Sequence, residues 1–148
     1  MLLADICEDF KETAEEKNIK INFESDSKKH FILGDQDKLK QVFINLQSNA
    51  VKFNKDGGSV WVSISENEEN KIVVKIKDNG QGVNKEDIPF IFERLYRGDK
   101  SRHKIQGAGI GLTIVKKILS MHSAVIDVES ETDKGSTFTI YFYKEEKI

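Results

Sequence analysis

The chain has 148 residues, 38% hydrophobic and 32% charged, which is the size of one globular domain with enough apolar content for a core and excludes a disordered chain. A formal charge of −2 carries none of the overall basic character that nucleic acid demands, so a small enzyme domain or a binding module remains. Cys7 is the only cysteine, which rules out an internal disulfide and fits a reducing compartment; no run approaches the roughly 18 apolar residues of a membrane span, and MLLADICEDF lacks the marks of a signal peptide.

Leu2, Leu3, Ile6, Phe10 and Ala14 recur at helical spacing and predict an amphipathic helix over 2–17. Ile19, Ile21 and Phe23 then alternate with polar residues as a half-buried strand, and a second short strand is expected at 31–33. Asp35 or Asp37 can cap the next helix, whose apolar stripe runs Leu39, Val42, Phe43, Leu46, Ala50, Phe53. Asp56-Gly57-Gly58 breaks it. Val60, Val62, Ile64 and Ile72, Val74, Ile76 alternate into two strands joined by the polar turn 67–70, a predicted hairpin. From 78 to 111 glycines recur, and the basic stretch 97–104 has no periodicity, which reads as a long functional loop. Ile110, Ile114, Val115, Ile118 and Leu119 resume the helical period. Strands at 125–128 and 137–143, separated by Asp133-Lys134-Gly135, close the chain. Residues 1–148 therefore read as a single α+β domain: a two-layer sandwich with a mixed, mostly antiparallel sheet and helices on one face.

Three places carry polar chemistry. On the second helix, Asn45, Asn49 and Lys52 stand at i, i+4 and i+7, within roughly 60° of one another, bordering the apolar stripe. An amide oxygen there suits Mg²⁺, which keeps waters and phosphates as other ligands, and a lysine supplies a point charge; the same stripe is also what a solvated face shows. Asp78 shares the parity of Ile72, Val74 and Ile76 and so points at the core, where a buried carboxylate needs a donor such as an exocyclic amine. Gly80 and Gly82 would allow close approach of a flat base, although Asp78-Asn79-Gly80 is equally a tight turn. Gly107-Ala108-Gly109-Ile110-Gly111-Leu112 opens a helix, where backbone N–H groups and the helix dipole favour an anion. Its spacing is neither the dinucleotide fingerprint nor the P-loop. Between these places, Phe90, Phe92, Leu95 and Tyr96 could clip a loop to the core, with Arg97 near a polyphosphate.

Taken in order, Asn45-Leu-Gln-Ser-Asn49-Ala-Val-Lys52-Phe53, Asp78-Asn-Gly80-Gln-Gly82, Phe92-Glu-Arg-Leu-Tyr96-Arg97 and Gly107-Ala108-Gly109-Ile110-Gly111-Leu112 resemble the four boxes of the ATP-binding catalytic domains of bacterial sensor histidine kinases. These belong to an ATPase superfamily shared with DNA gyrase, mismatch-repair ATPases and a heat-shock chaperone. The resemblance covers about residues 19–143. It implies a protein-histidine kinase that binds Mg-ATP and passes the γ-phosphoryl to a histidine on a separate dimerisation hairpin, with a response regulator downstream. By the same resemblance Asn49 contacts Mg²⁺, with Asn45 and Lys52 near metal and phosphates, and Phe53 beside them. Asp78 receives adenine N6, Gly80 and Gly82 line the base, and Tyr96 and Arg97 reach the nucleotide. Gly107, Ala108, Gly109, Ile110, Gly111 and Leu112 wrap the phosphates, and 97–107 form a lid. The catalytic set is then Asn45, Lys52 and Arg97.

The superfamily's hydrolases place a glutamate four residues before the metal-binding asparagine. Here that position is Asn45, whose amide cannot take a proton from water at neutral pH, so slow hydrolysis is expected. Phe53 stands where the family often has tyrosine, and His122-Ser123-Ala124 replaces His-Gly-Gly. None of His30, His103 and His122 has the acceptor context, so the chain looks like a kinase half without its phosphoacceptor, its helix within 1–18 lying where the hairpin would join. The resemblance implies a monomeric fragment on the cytoplasmic side of a membrane-anchored parent. The alternatives are a degenerate nucleotide-binding or docking module and an anti-sigma-type serine kinase.

Overall fold

A computed structural model describes residues 2–26, 30–93 and 108–143, the side chains of 108–110 excepted. Five strands, β1 (Lys20–Ser25), β2 (Ser59–Glu66), β3 (Lys71–Asp78), β4 (Val125–Glu131) and β5 (Gly135–Tyr143), form one sheet in the order β1-β2-β3-β5-β4. β1 runs parallel to β2, and every other pairing is antiparallel. The expected alternation holds: Val60, Val62, Ile72, Val74, Ile76, Ile140 and Phe142 are buried on the face that meets the helices. Three helices cover that face, α1 (Leu2–Glu16), α2 (Gln36–Lys52) and α3 (Ala108–Met121). None is long and apolar enough to cross a membrane.

α2 is the central helix. Asp35 caps it, its Oδ1 accepting from the N–H groups of Asp37 (3.0 Å) and Lys38 (3.2 Å). Its stripe Leu39, Val42, Phe43, Leu46 and Ala50 is buried, and Phe43 meets Phe142 edge-on at 6.3 Å. Each fully buried large side chain on this face contributes about 1.5–3 kcal/mol. At the other end of α2, the Lys17 ammonium donates to the carbonyls of Val51 (3.1 Å), Lys52 (3.0 Å) and Asn54 (3.2 Å). A cation on orphan carbonyls at a helix C-terminus satisfies both their hydrogen-bonding need and the dipole.

Two helix ends share one device. After α1, Ile19 N–H donates to Ala14 O and Asn18 N–H to Glu15 O, with Asn18 at φ +57°. After α3, Ala124 N–H donates to Leu119 O and Ser123 N–H to Ser120 O, with Ser123 at φ +55°. Both are left-handed Schellman caps. The altered turn after α3 thus keeps the glycine-type geometry with a serine in it. His122 ties this end to α2: its Nε2 accepts from Asp35 N–H (3.0 Å), so Nδ1 carries the proton and donates to Ile118 O (2.8 Å).

The strand expected at 31–33 does not form. Phe31 and Leu33 are exposed, and only Ile32 packs on the core, so the inward parity is the reverse of the reading from Phe31 and Leu33. With one apolar side chain inward and no neighbouring strand in the sheet, the segment has neither the ladder nor the burial that holds a strand. A short 3-10 turn at Ile88–Phe90, which periodicity did not predict, holds the only proline, Pro89, in its first turn. Ile91 is buried and Phe92 packs edge-on against Phe138 at 6.5 Å, so Ile91 joins Phe92 in holding this segment to the core; Phe90 is more exposed, and Leu95 and Tyr96 lie outside the described residues.

Candidate active site

The site forms where the middle and C-terminal half of α2, the end of β3 and the start of α3 converge. Asn45 and Asn49 are half-buried, and neither amide has a hydrogen-bond partner among the described residues. Half-buried amides without a protein partner are open to water or to a ligand. Lys52 is exposed, its ammonium 5.4 Å from the centre of the half-buried Phe53 ring. Among the described residues, a methyl group placed on Gly111 would meet only the Asn45 side chain, at 3.9 Å. The first turn of α3 therefore faces α2 across Asn45 with room to spare. Leu112, one residue on, turns into the core and is buried.

Asp78 ends β3 opposite Val60 and Ser136, half-buried on the inward parity. Burial pushes its carboxyl above the ordinary aspartate range, opposed by the backbone N–H groups of Gly80 and Ser136. Gly80 N–H donates to Asp78 Oδ1 at 2.9 Å, so the tight-turn reading is realised too. The turn leaves a desolvated carboxylate with acceptor capacity unused.

The walls of this turn are more elaborate than the motif suggests. Gln81 N–H donates to Phe53 O (3.1 Å), and a side chain on Gly80 would run into Phe53 O at 2.6 Å, which fixes the turn against the end of α2. Gly82 sits at φ +68°, where a Cβ would lie 2.0 Å from Glu131 O, so both torsion and packing demand glycine. The space these two glycines provide is taken by protein backbone, a structural reason for them that stands apart from any base. Asn79 Oδ1 accepts from Ser59 N–H (2.7 Å), the Asn54 amide donates to Ser59 O (3.1 Å), and Ser130 Oγ accepts from Val83 N–H (2.7 Å). Thr113 Oγ1 donates to Phe92 O (3.0 Å) and Lys116 lies over the Phe92 ring, fastening the segment that ends at Glu93 to α3. Lys17, Asn54, Asn79, Ser130 and Thr113 were not singled out from sequence. Their partners lie up to 47 residues away, and only the Asn79 position inside a box offered a signal.

Of the predicted residues, Asn45, Asn49, Lys52, Phe53, Asp78, Gly80, Gly82, Gly111 and Leu112 lie on these three elements and their turns. Tyr96, Arg97, Gly107 and the lid at 97–107 lie outside the described residues, as do the side chains of Ala108 and Ile110; α3 begins at Ala108, and the backbone of Gly109 lies in its first turn. Among the described residues no cluster of three His, Cys, Asp or Glu could cage a metal. A divalent ion here would rest on one amide oxygen, water and substrate phosphates, which is how Mg²⁺ is usually held, and the unpartnered Asn49 amide fits that role.

Comparison with known proteins agrees with this fold. The sequence profile of the histidine kinase-, DNA gyrase B-, and HSP90-like ATPase family matches residues 34–146. Sensor histidine kinase WalK of Bacillus subtilis (strain 168) is 43% identical over 116 residues, 76% of this chain and 19% of that protein, so the chain spans about a fifth of that relative. The nucleotide-free catalytic domain of histidine kinase ThkA superposes with a TM-score of 0.82 at 26% identity, over 97% of this chain and 90% of that one. Full-length ShkA, solved in complex with AMPPNP, superposes with a TM-score of 0.82 at 29% identity, over 97% of this chain and 29% of that one.

Proposed function

Because the chain belongs to the histidine kinase-, DNA gyrase B-, and HSP90-like ATPase family and is homologous to sensor histidine kinases, we propose that it binds Mg-ATP and donates the γ-phosphoryl to a histidine on a separate dimerisation hairpin of the same kinase. The phosphorylated histidine would then serve a response regulator. The observation that carries this reading is the inward, desolvated Asp78 carboxylate across from two unpartnered amides on α2.

Asp78 accepts the adenine N6 amine, replacing a solvation it lost on folding. Gly80 and Gly82 hold the turn that presents it, and Phe53 flanks the pocket. Asn49 would hold Mg²⁺, which would supply charge neutralisation for the phosphates. Asn45 and Lys52 lie beside the phosphates, Arg97 and Tyr96 approach from the lid, and the start of α3 from Gly107 to Leu112 turns its N–H groups to them. In the transfer, the bond from γ-phosphorus to the bridging oxygen breaks and ADP keeps its electron pair. A phosphorus–nitrogen bond forms to the imidazole, whose proton passes to an acidic neighbour on the hairpin. Asn45 cannot take a proton from water, so the site positions and stabilises without activating a hydrolytic nucleophile. The chain is then a catalytic part that needs an acceptor domain from its membrane-anchored parent.

Calorimetric titration with a non-hydrolysable ATP analogue tests the reading. Binding that strengthens when Mg²⁺ is added is the expected result, followed by acid-labile phosphorylation of an added histidine hairpin. A folded chain that binds no nucleotide would sink the kinase reading and leave a docking module. Acid-stable phosphoprotein would point to a serine kinase.

A further inference from the structure

Among the described residues, β1 is an open edge of the sheet, bonded to β2 on one side only. It has no proline and no bulge, two of the features that blunt an edge, and its exposed charges, Lys20 and Glu24, are of opposite sign. Lys20 N–H donates to Gly58 O (3.1 Å) and Asp26 N–H to Ile64 O (3.3 Å), so the even-numbered residues turn their backbone groups towards β2. Ile21, Phe23 and Ser25 turn theirs outward. Their side chains, by the register Ile21↔Val60 and Phe23↔Val62, lie on the helix-covered face and are half-buried. Lys20, Asn22 and Glu24 lie on the other face, opposite the neutral Ser59, Trp61 and Ser63. Lys20 and Glu24 are exposed, and neither has an ion-pair partner among the described residues.

This strand is complementary to itself. Turned about a twofold axis through Asn22, the sequence Lys20-Ile-Asn-Phe-Glu24 sets Lys20 against Glu24 of a second copy, Ile21 against Phe23 and Asn22 against Asn22. The outward backbone groups fall on the Ile–Phe pairs, which therefore exchange both backbone hydrogen bonds. The Lys–Glu pairs fall at the non-bonded positions, where facing side chains come closest. Shifting the register by two residues in either direction loses the Lys–Glu pairs and sets Ile21 or Phe23 against itself. Beside the strand runs a groove between α1 and the sheet edge, lined by Lys11, Ala14, Glu15, Ile19 and Ile21. The Phe23 ring of a second copy, opposite Ile21 on the helix side, would fill it.

We propose that two copies of this chain pair antiparallel through β1, centred on Asn22, joining their sheets into one continuous sheet with all helices on the same face. This replaces the expectation of a monomeric chain and does not depend on nucleotide. The test is sedimentation of the 148-residue chain from micromolar to millimolar concentration, beside Lys20→Glu, Glu24→Lys and an equimolar mixture of the two. The expected result is a concentration-dependent dimer in the wild type, association weakened about tenfold or more in each single variant, and recovery in the mixture, where both charge pairs are opposite in sign again. Amide exchange should show Ile21 and Phe23 gaining protection with concentration, while Asn22 and Glu24, already bonded to β2, do not change. A wild type that stays monomeric throughout overturns the pairing and leaves the edge to a strand of another protein. Single variants that dimerise as the wild type does, or a mixture that stays monomeric, overturn the register.

Discussion

Asn45, Gln47 and Asn49 on α2 lack side-chain hydrogen-bond partners among the described residues, and they lie in two different environments. Asn45 and Asn49 are half-buried at the mouth between α2, β3 and α3. Gln47, between them in sequence, is fully buried on the opposite side towards α1, and neither of its amide atoms has a hydrogen bond. Its neighbour there is Cys7, whose thiol is pushed up to about 11 by burial, with Gln47 and Lys11 pulling the other way; no bond of normal geometry joins the thiol to the amide. An unsatisfied amide at an opening can be satisfied by a ligand, whereas one sealed in the core only costs stability. The same residue chemistry is thus open to a ligand on one face of the helix and sealed without a partner on the other.

The sharpest break in that comparison is Asn49→Ala. It should lower Mg-dependent phosphotransfer to an added hairpin by roughly a hundredfold, the scale of removing one electrostatic contact from a transition state, with little change in melting temperature. Loss of folding together with activity would mean that Asn49 is structural.

Asp78→Asn comes next. Replacing the acceptor should weaken ATP-analogue binding by about ten- to a hundredfold, since one unmade buried polar contact costs about 1–3 kcal/mol. Because burial raises the Asp78 carboxyl in the folded chain, its contribution to stability is present below the ordinary aspartate range and is lost as pH rises through the raised value. The nucleotide-free variant should therefore melt higher than wild type at neutral pH, and the gap should close in acid. In wild type, nucleotide affinity should begin to fall at a pH above the ordinary aspartate range, as the carboxylate protonates. A melting difference that ignores pH would contradict the desolvation argument.

Gln47→Leu sharpens the contrast from the other side. Removing the sealed amide should stabilise the fold by about 1–3 kcal/mol in denaturant unfolding and leave nucleotide affinity unchanged. The smallest effect belongs to Ser123→Gly. Relieving a side chain held at φ +55° should add about 0.5–1 kcal/mol, read as a shift in unfolding midpoint without a change in binding.

Much of this molecule was legible from local pattern. The stripe on α2, the strand alternation and the inward parity of Asp78 follow from backbone periods of 3.6 and 2, which neighbours in sequence carry by themselves. The 31–33 strand failed for the same reason that those succeeded: alternation offers a face but does not supply a partner strand. Gln47 and Asn49 look alike in the sequence, and only the packing of α1 against α2 seals one and leaves the other at the mouth. Lys17 on the carbonyls of α2, His122 between Asp35 and Ile118, and Gly82 against Glu131 depend on which distant elements meet. The sequence alone determined the elements, their faces and the order of the site's residues, because those are set by local geometry and side-chain chemistry. The tertiary structure decided which polar groups are satisfied, which are left for a ligand and which strand edge stays open, because hydrogen bonding and desolvation are settled only when remote segments come into contact.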